Sequence, residues 1–190
     1  MSLILGILAQ GVAGAPGAAN SYESIATVTV GSGGAANVEF TSIPSGFEHL
    51  QIRAIARSTR ASVDNVFVNM QINSDTGANY SYHDLYGDGS TVAAGAITSV
   101  TQNYIQRITA STAAASIFGT FVIDILDYKN TNKYKTLKSL GGFDLNGSGQ
   151  IYLVSGSWRN TNAITSLKFT SQATGDFAQY SHFALYGIKS

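Results

Sequence analysis

From residue 22 to residue 188 the chain alternates apolar and polar positions with a period of two. The clearest run lies in residues 43–58. Pro44 and Gly46 mark a turn. Leu50, Ile52, Ala54 and Ala56 then fall on one side, and Gln51, Arg53 and Arg57 on the other, with Ile55 the one apolar exception. A period of two is that of a half-buried strand, and its apolar side needs a second layer to cover it.

The same reasoning marks strands along the whole body. Residues 22–30 are β-branched and Thr-rich; after Gly31-Ser32-Gly33-Gly34 the chain returns over 37–41, a pattern that predicts a hairpin. Residues 65–73 place Val66, Val68, Met70 and Ile72 on one side, and residues 80–86 alternate aromatics with polar groups. Residues 87–95 are small and predict a loop, and 97–109 predict a strand around 99–108, with a short helix as the alternative. Residues 115–128 are apolar on both sides, through Phe121, Ile123 and Ile125 against Phe118, Val122 and Leu126. That double pattern predicts a central strand or one covered on both sides. Residues 134–143, 150–158, 164–171 and 182–188 add four more strands. The expected fold is all-β: a single antiparallel β-sandwich or jelly-roll-like domain over 21–190, preceded by an apolar N-terminal arm and linker over 1–20.

The arm breaks the pattern. It carries the apolar stretch of a signal peptide and a small-residue Ala13-Gly14-Ala15 site, but no basic group stands before Arg53. It is too short to span a bilayer. As a helix capped by Ser2 it would line up Leu3, Ile4, Ile7, Leu8 and Val12, with Gly6 and Gly11 weakening it. As an extended arm it exposes apolar groups along its length. In either form such a terminus frays unless something holds it: its own body, a neighbouring copy or a larger assembly. Leu3, Ile4, Leu5, Ile7, Leu8 and Val12 are therefore the candidate partner-binding residues.

Composition narrows the function. The 190 residues are 44% hydrophobic, enough for one core, and only 12% charged, about half the usual share. Net charge is zero, which gives no long-range attraction for nucleic acid. Residues 1–95 carry −4 and the remainder +4. Either strand pairing mixes the two halves in space, or the subunit is bipolar and packs head to tail with copies of itself. With no Cys, disulfides and thiolate metal sites are ruled out, which favours a reducing cytoplasm as the place of synthesis.

Candidate chemistry is sparse. His49, His83 and His182 have no metal-ligand spacing, and His83 and Asp84 point to opposite sides of a strand. There is no G-x-S-x-G, P-loop or dinucleotide fingerprint. Gly87-Asp88-Gly89-Ser90 reads as a turn, and Asp124 with Asp127 does not make a glycosidase pair. The expectation is no enzyme, no metal and no cofactor. Tyr80, Tyr82, Tyr86, Tyr104 and Trp158 are the candidates for stacking on sugar rings.

Two segments carry a resemblance. Ser-Tyr-Glu-Ser-Ile-Ala-Thr-Val-Thr-Val-Gly-Ser-Gly-Gly at 21–34 and Phe-Thr-Ser-Ile-Pro-Ser-Gly-Phe-Glu-His-Leu-Gln-Ile-Arg at 40–53 resemble structural proteins of tailed bacteriophages, as does the closing Phe-Ala-Leu-Tyr-Gly-Ile-Lys at 183–189. The resemblance implies a non-enzymatic virion protein made in the host bacterial cytoplasm. It implies capsid decoration or cement, held through the arm by other virion proteins, and a homo-oligomer, commonly a trimer. The alternative is a tail-fibre or tail-tip module that binds a host surface glycan through Tyr80, Tyr82, Tyr86 and Trp158. Neither reading involves nucleic acid or a membrane.

Overall fold

The computed structural model describes residues 21–189. Twelve strands follow one another: β1 (Tyr22–Thr29), β2 (Asn37–Phe40), β3 (His49–Ala56), β4 (Asn65–Ile72), β5 (Tyr80–Gly87) and β6 (Val92–Val100), then β7 (Asn103–Thr109), β8 (Gly119–Ile125), β9 (Lys135–Asp144), β10 (Gly149–Trp158), β11 (Leu167–Ser171) and β12 (His182–Ile188). They form two antiparallel sheets, one of eight strands in the order β1-β12-β3-β8-β9-β10-β5-β6 and one of four in the order β2-β11-β4-β7. The smaller sheet lies over the middle of the larger, with β7 crossing β8, β9 and β10. The fold is an antiparallel sandwich, as the alternation requires.

Register explains the core. Leu50, Ile52 and Ala54 on β3 stand opposite Ile125, Ile123 and Phe121 on β8. All six are buried, and Val68, Met70, Ile72, Ile105 and Phe169 from the smaller sheet close over the same core. Phe183 on β12 sits at its aromatic centre, 4.9 Å from Phe177, 5.6 Å from Phe169 and 6.0 Å from Phe121 between ring centroids. Such edge-on and tilted pairs suit the ring quadrupoles. Gly187 lets Phe47 fold over β12: a Cβ there would lie 2.2 Å from Phe47 Cγ.

Buried polar groups are tied down locally. Lys135 donates its ammonium protons to the carbonyls of Asn130, Lys133 and Thr161, which fixes the turn before β9. Burial pushes the Lys135 pKa down. Arg57 donates to the carbonyls of Ala113, Ala114 and Ile117, so one guanidinium organises the segment leading into β8.

Three expectations are corrected. β1 and β2 are not a hairpin: β1 pairs with β12 in the larger sheet, and β2 with β11 in the smaller. The Gly-rich turn carries the chain from one layer to the other. Residues 87–95 are not all loop, because β6 begins at Val92 and pairs with β5 as an edge strand. Residues 99–108 are not one strand: β6 ends at Val100 in one sheet and β7 starts at Asn103 in the other. Strand β8 is central, the first of the two alternatives its pattern offered; on its outward side Val122 is half-buried and Leu126 just beyond it is exposed. Strands from the two halves of the chain stand side by side in both sheets, and Glu23 and Glu48 pair with Lys189 and Lys129. That is the mixed arrangement of charge, not the bipolar one.

Candidate functional site: an apolar outer sheet face

The eight-stranded sheet has a second face, turned away from the core. Strand register sorts its residues into rows. One row runs Ala94, Leu85, Leu153, Leu140, Val122, Arg53, Ala184. The next runs Val92, Gly87, Ile151, Gly142, Thr120, Ile55, His182. Neighbouring strands lie about 4.8 Å apart, so Leu85, Leu153, Leu140 and Val122 make an unbroken ridge about 14 Å long. Leu85, Leu153, Leu140 and Ile151 are 49%, 43%, 50% and 61% exposed. Single exposed leucines are ordinary; a contiguous row of them marks an interaction surface.

The ridge has relief. Gly87 and Gly142 flank Ile151, leaving it as a knob between two gaps. At Gly142 the gap is obligatory, because a Cβ would lie 2.3 Å from the Gln150 carbonyl oxygen. Two concavities border the ridge. One of about 320 Å³ is lined by Ile55, Thr120, Val122, Leu140, Ala184 and Tyr186. The other, of about 370 Å³, lies among Leu126, Thr136, Lys138, Leu153 and Ser155.

The third row is polar: Ala96, His83, Ser155, Lys138, Asp124, Gln51, Tyr186. Its charges are satisfied within the chain. Gln51 donates to Asp124 at 2.8 Å, and Lys138 stands 3.6 Å from the other carboxylate oxygen of Asp124. The Tyr22 hydroxyl donates to Gln51 at 2.6 Å, its ring stacks on Tyr186 at 4.8 Å, and Arg53 lies over both rings. Desolvation raises the Tyr22 pKa, with Arg53 opposing it. These internal pairings leave the two apolar rows as the part of the face without partners among the described residues.

The residues marked by sequence fall elsewhere. Leu3, Ile4, Leu5, Ile7, Leu8 and Val12 lie outside the described residues. Tyr80, Tyr82 and Trp158 are interior, so their rings are not available to stack on a sugar. The Tyr80 hydroxyl is held by the backbone of Ile72 and Asp75, and burial pushes its pKa up to about 12. Burial does the same to Tyr82, also to about 12. Trp158 donates its indole proton to Asp75 Oδ2 at 2.7 Å. Tyr86 is half-buried and stacked on Tyr152, and Tyr104 is half-buried and stacked on Phe67. The alternating aromatics of β5 thus face mostly the core and do not form a binding platform.

His49 accepts a hydrogen bond from the Asp127 amide and stands 3.6 Å from its carboxylate; His182 bonds Thr29, and His83 is exposed. Asp88 accepts from the Ser90 amide and hydroxyl and the Thr91 amide, a self-contained turn. Among the described residues no three His, Cys, Asp or Glu side chains converge on a metal-sized site, and no described helix is long and apolar enough to cross a membrane. The outer ridge was missed in sequence, although its signal was there. Ile55 broke the alternation of β3, and Ile151 and Leu153 made β10 apolar on both sides. The chain matches no family model, and neither curated proteins nor solved structures gave a match.

Proposed function

We propose that the chain is a non-enzymatic structural protein of a tailed-bacteriophage virion, a capsid decoration or cement protein that joins its neighbours by burying apolar surface and works as a homo-oligomer, expected to be a trimer. One observation carries this: the continuous apolar ridge on the outer face of the larger sheet, beside a polar row in which Asp124 is paired with Gln51 and Lys138. A surface of that kind serves contact rather than catalysis. Apolar area is removed from water at about 25 cal/mol per Å², and repeated copies on a lattice add avidity without new kinds of contact. The N-terminal segment, through Leu3, Ile4, Leu5, Ile7, Leu8 and Val12, supplies a second apolar element for anchoring to other virion proteins.

Cryo-electron microscopy of the intact particle tests the proposal. Density for this body repeated over the capsid lattice is the expected result. A few copies at the tail tip would overturn the decoration reading in favour of a fibre or baseplate part that meets a host glycan, and complete absence from particles would end both. A second test removes residues 2–12. The truncated chain should fold and fail to join particles; full occupancy by the truncated chain would end the anchoring role of the segment.

A further inference from the structure

We infer that the outer apolar ridge is, in the free protein, the docking site of the chain's own N-terminal segment, residues 3–12. This goes beyond the virion proposal and does not depend on it, since the contact belongs to the unassembled protein.

Chemistry, position and length lead to the same occupant. Residues 1–20 contain no charged side chain, and residues 3–8 hold five large aliphatic groups. The ridge offers Leu85, Leu153 and Leu140 with no charge in that part of its row. The described chain begins on the sheet that bears the ridge. Ser21 accepts a hydrogen bond from the Lys189 amide, and β1 is one of the two edge strands. Tyr22 stacks on Tyr186 and bonds Gln51, so its side chain already lies on the outer face.

The tether reaches. Leu140 on β9 is four strands across from β1, about 19 Å, and four residues, about 13 Å, along the strand from the level of Tyr22, a diagonal of about 23 Å. Val12 and Tyr22 are ten residue steps apart, which span about 33 Å when extended. A tether of fitting length presents its ligand at an effective concentration in the millimolar range. The chain's own segment therefore outcompetes another copy's at ordinary protein concentrations.

The test uses the full chain, which has no native Cys to interfere. Ile7→Cys is combined with Leu153→Cys on the ridge, and separately with Lys168→Cys on the four-stranded sheet. Each protein is treated at low concentration with a short bis-maleimide. The expected result is an internally linked monomer for the Leu153 pair, at roughly tenfold or greater yield than for the Lys168 pair, the advantage a seated tether confers. Adding Leu140→Asp should abolish that excess, with the urea midpoint of the body serving as the control for folding. Where the Leu153 substitution harms folding, Ile7→Cys with Leu85→Cys replaces the pair. Linked dimers would overturn the proposal by assigning the ridge to a second copy. Equal yields from the two pairs, or no linkage at the ridge, would overturn it by showing that the segment does not settle there.

Discussion

Tyr152 and Leu153 are neighbours on β10, yet one is 1% exposed and the other 43%. The same contrast runs across the larger sheet. Its inner face holds Leu50, Ile52, Ile123, Ile125 and Phe183 against the smaller sheet, and its outer face holds Leu85, Leu140, Ile151 and Leu153 against no described partner. Both faces are rich in aliphatic side chains, but only the inner one has a second layer. A hydrophobic group contributes to folding when another layer covers it. Without one it is available to association instead.

The largest expected effect breaks the inner face. Phe183→Ala removes the ring that touches Phe121, Phe169 and Phe177 and should cost about 3–5 kcal/mol, read as a lower urea midpoint. Gly187→Ala should cost about 1–3 kcal/mol by forcing Phe47 off β12, and the same denaturation measures it.

Trp158→Phe keeps most of the buried ring but leaves Asp75 without its indole donor, for about 1–2 kcal/mol at neutral pH. Its signature is pH dependence. Partial burial pushes the Asp75 pKa up, but hydrogen bonds from Trp158, Asn79 and Gly77 outweigh it and hold the carboxyl below its ordinary value. A lowered pKa in the fold means stability that is fully present above the unfolded value of about 4 and lost as pH falls through the folded one. Urea titrations from pH 6 downward should therefore show a shallower acid loss in Trp158→Phe than in the parent chain. An unchanged slope would remove the indole from that account.

The smallest effect on stability belongs to the outer face. Leu153→Ser should change the unfolding free energy by no more than about 0.5 kcal/mol while weakening whatever covers the ridge. A cost near that of Phe183→Ala would erase the contrast and make the ridge part of the core.

Much of this fold was legible in sequence. The residues 50–56 placed the core side of β3 without error, and from β8 onward each strand lies within about four residues of where the alternation put it. What failed had physical reasons. Strand β6 is an edge strand, largely exposed, whose first half is mostly Ala and Gly, so it left no periodic trace. The passage from β6 to β7 changes sheets in two residues without Pro or Gly, with Ser99 taking the left-handed conformation just before it. The tyrosines of β5 gave the right period, but a period cannot say which side meets the core. The ridge is a property of register across strands far apart in the chain, and no local window contains it.

The first and last strands of the body lie side by side, Thr29 against His182 and Tyr22 against Ile188. Nothing local can complete that edge. A ribosome adding about 5–20 residues per second takes on the order of ten seconds to pass from one partner to the other. Through that interval β1 has no seat in the larger sheet, because its one neighbour there is β12. The topology thus works as a clock: the edge that seats β1 closes only after β12, the last strand, has been made.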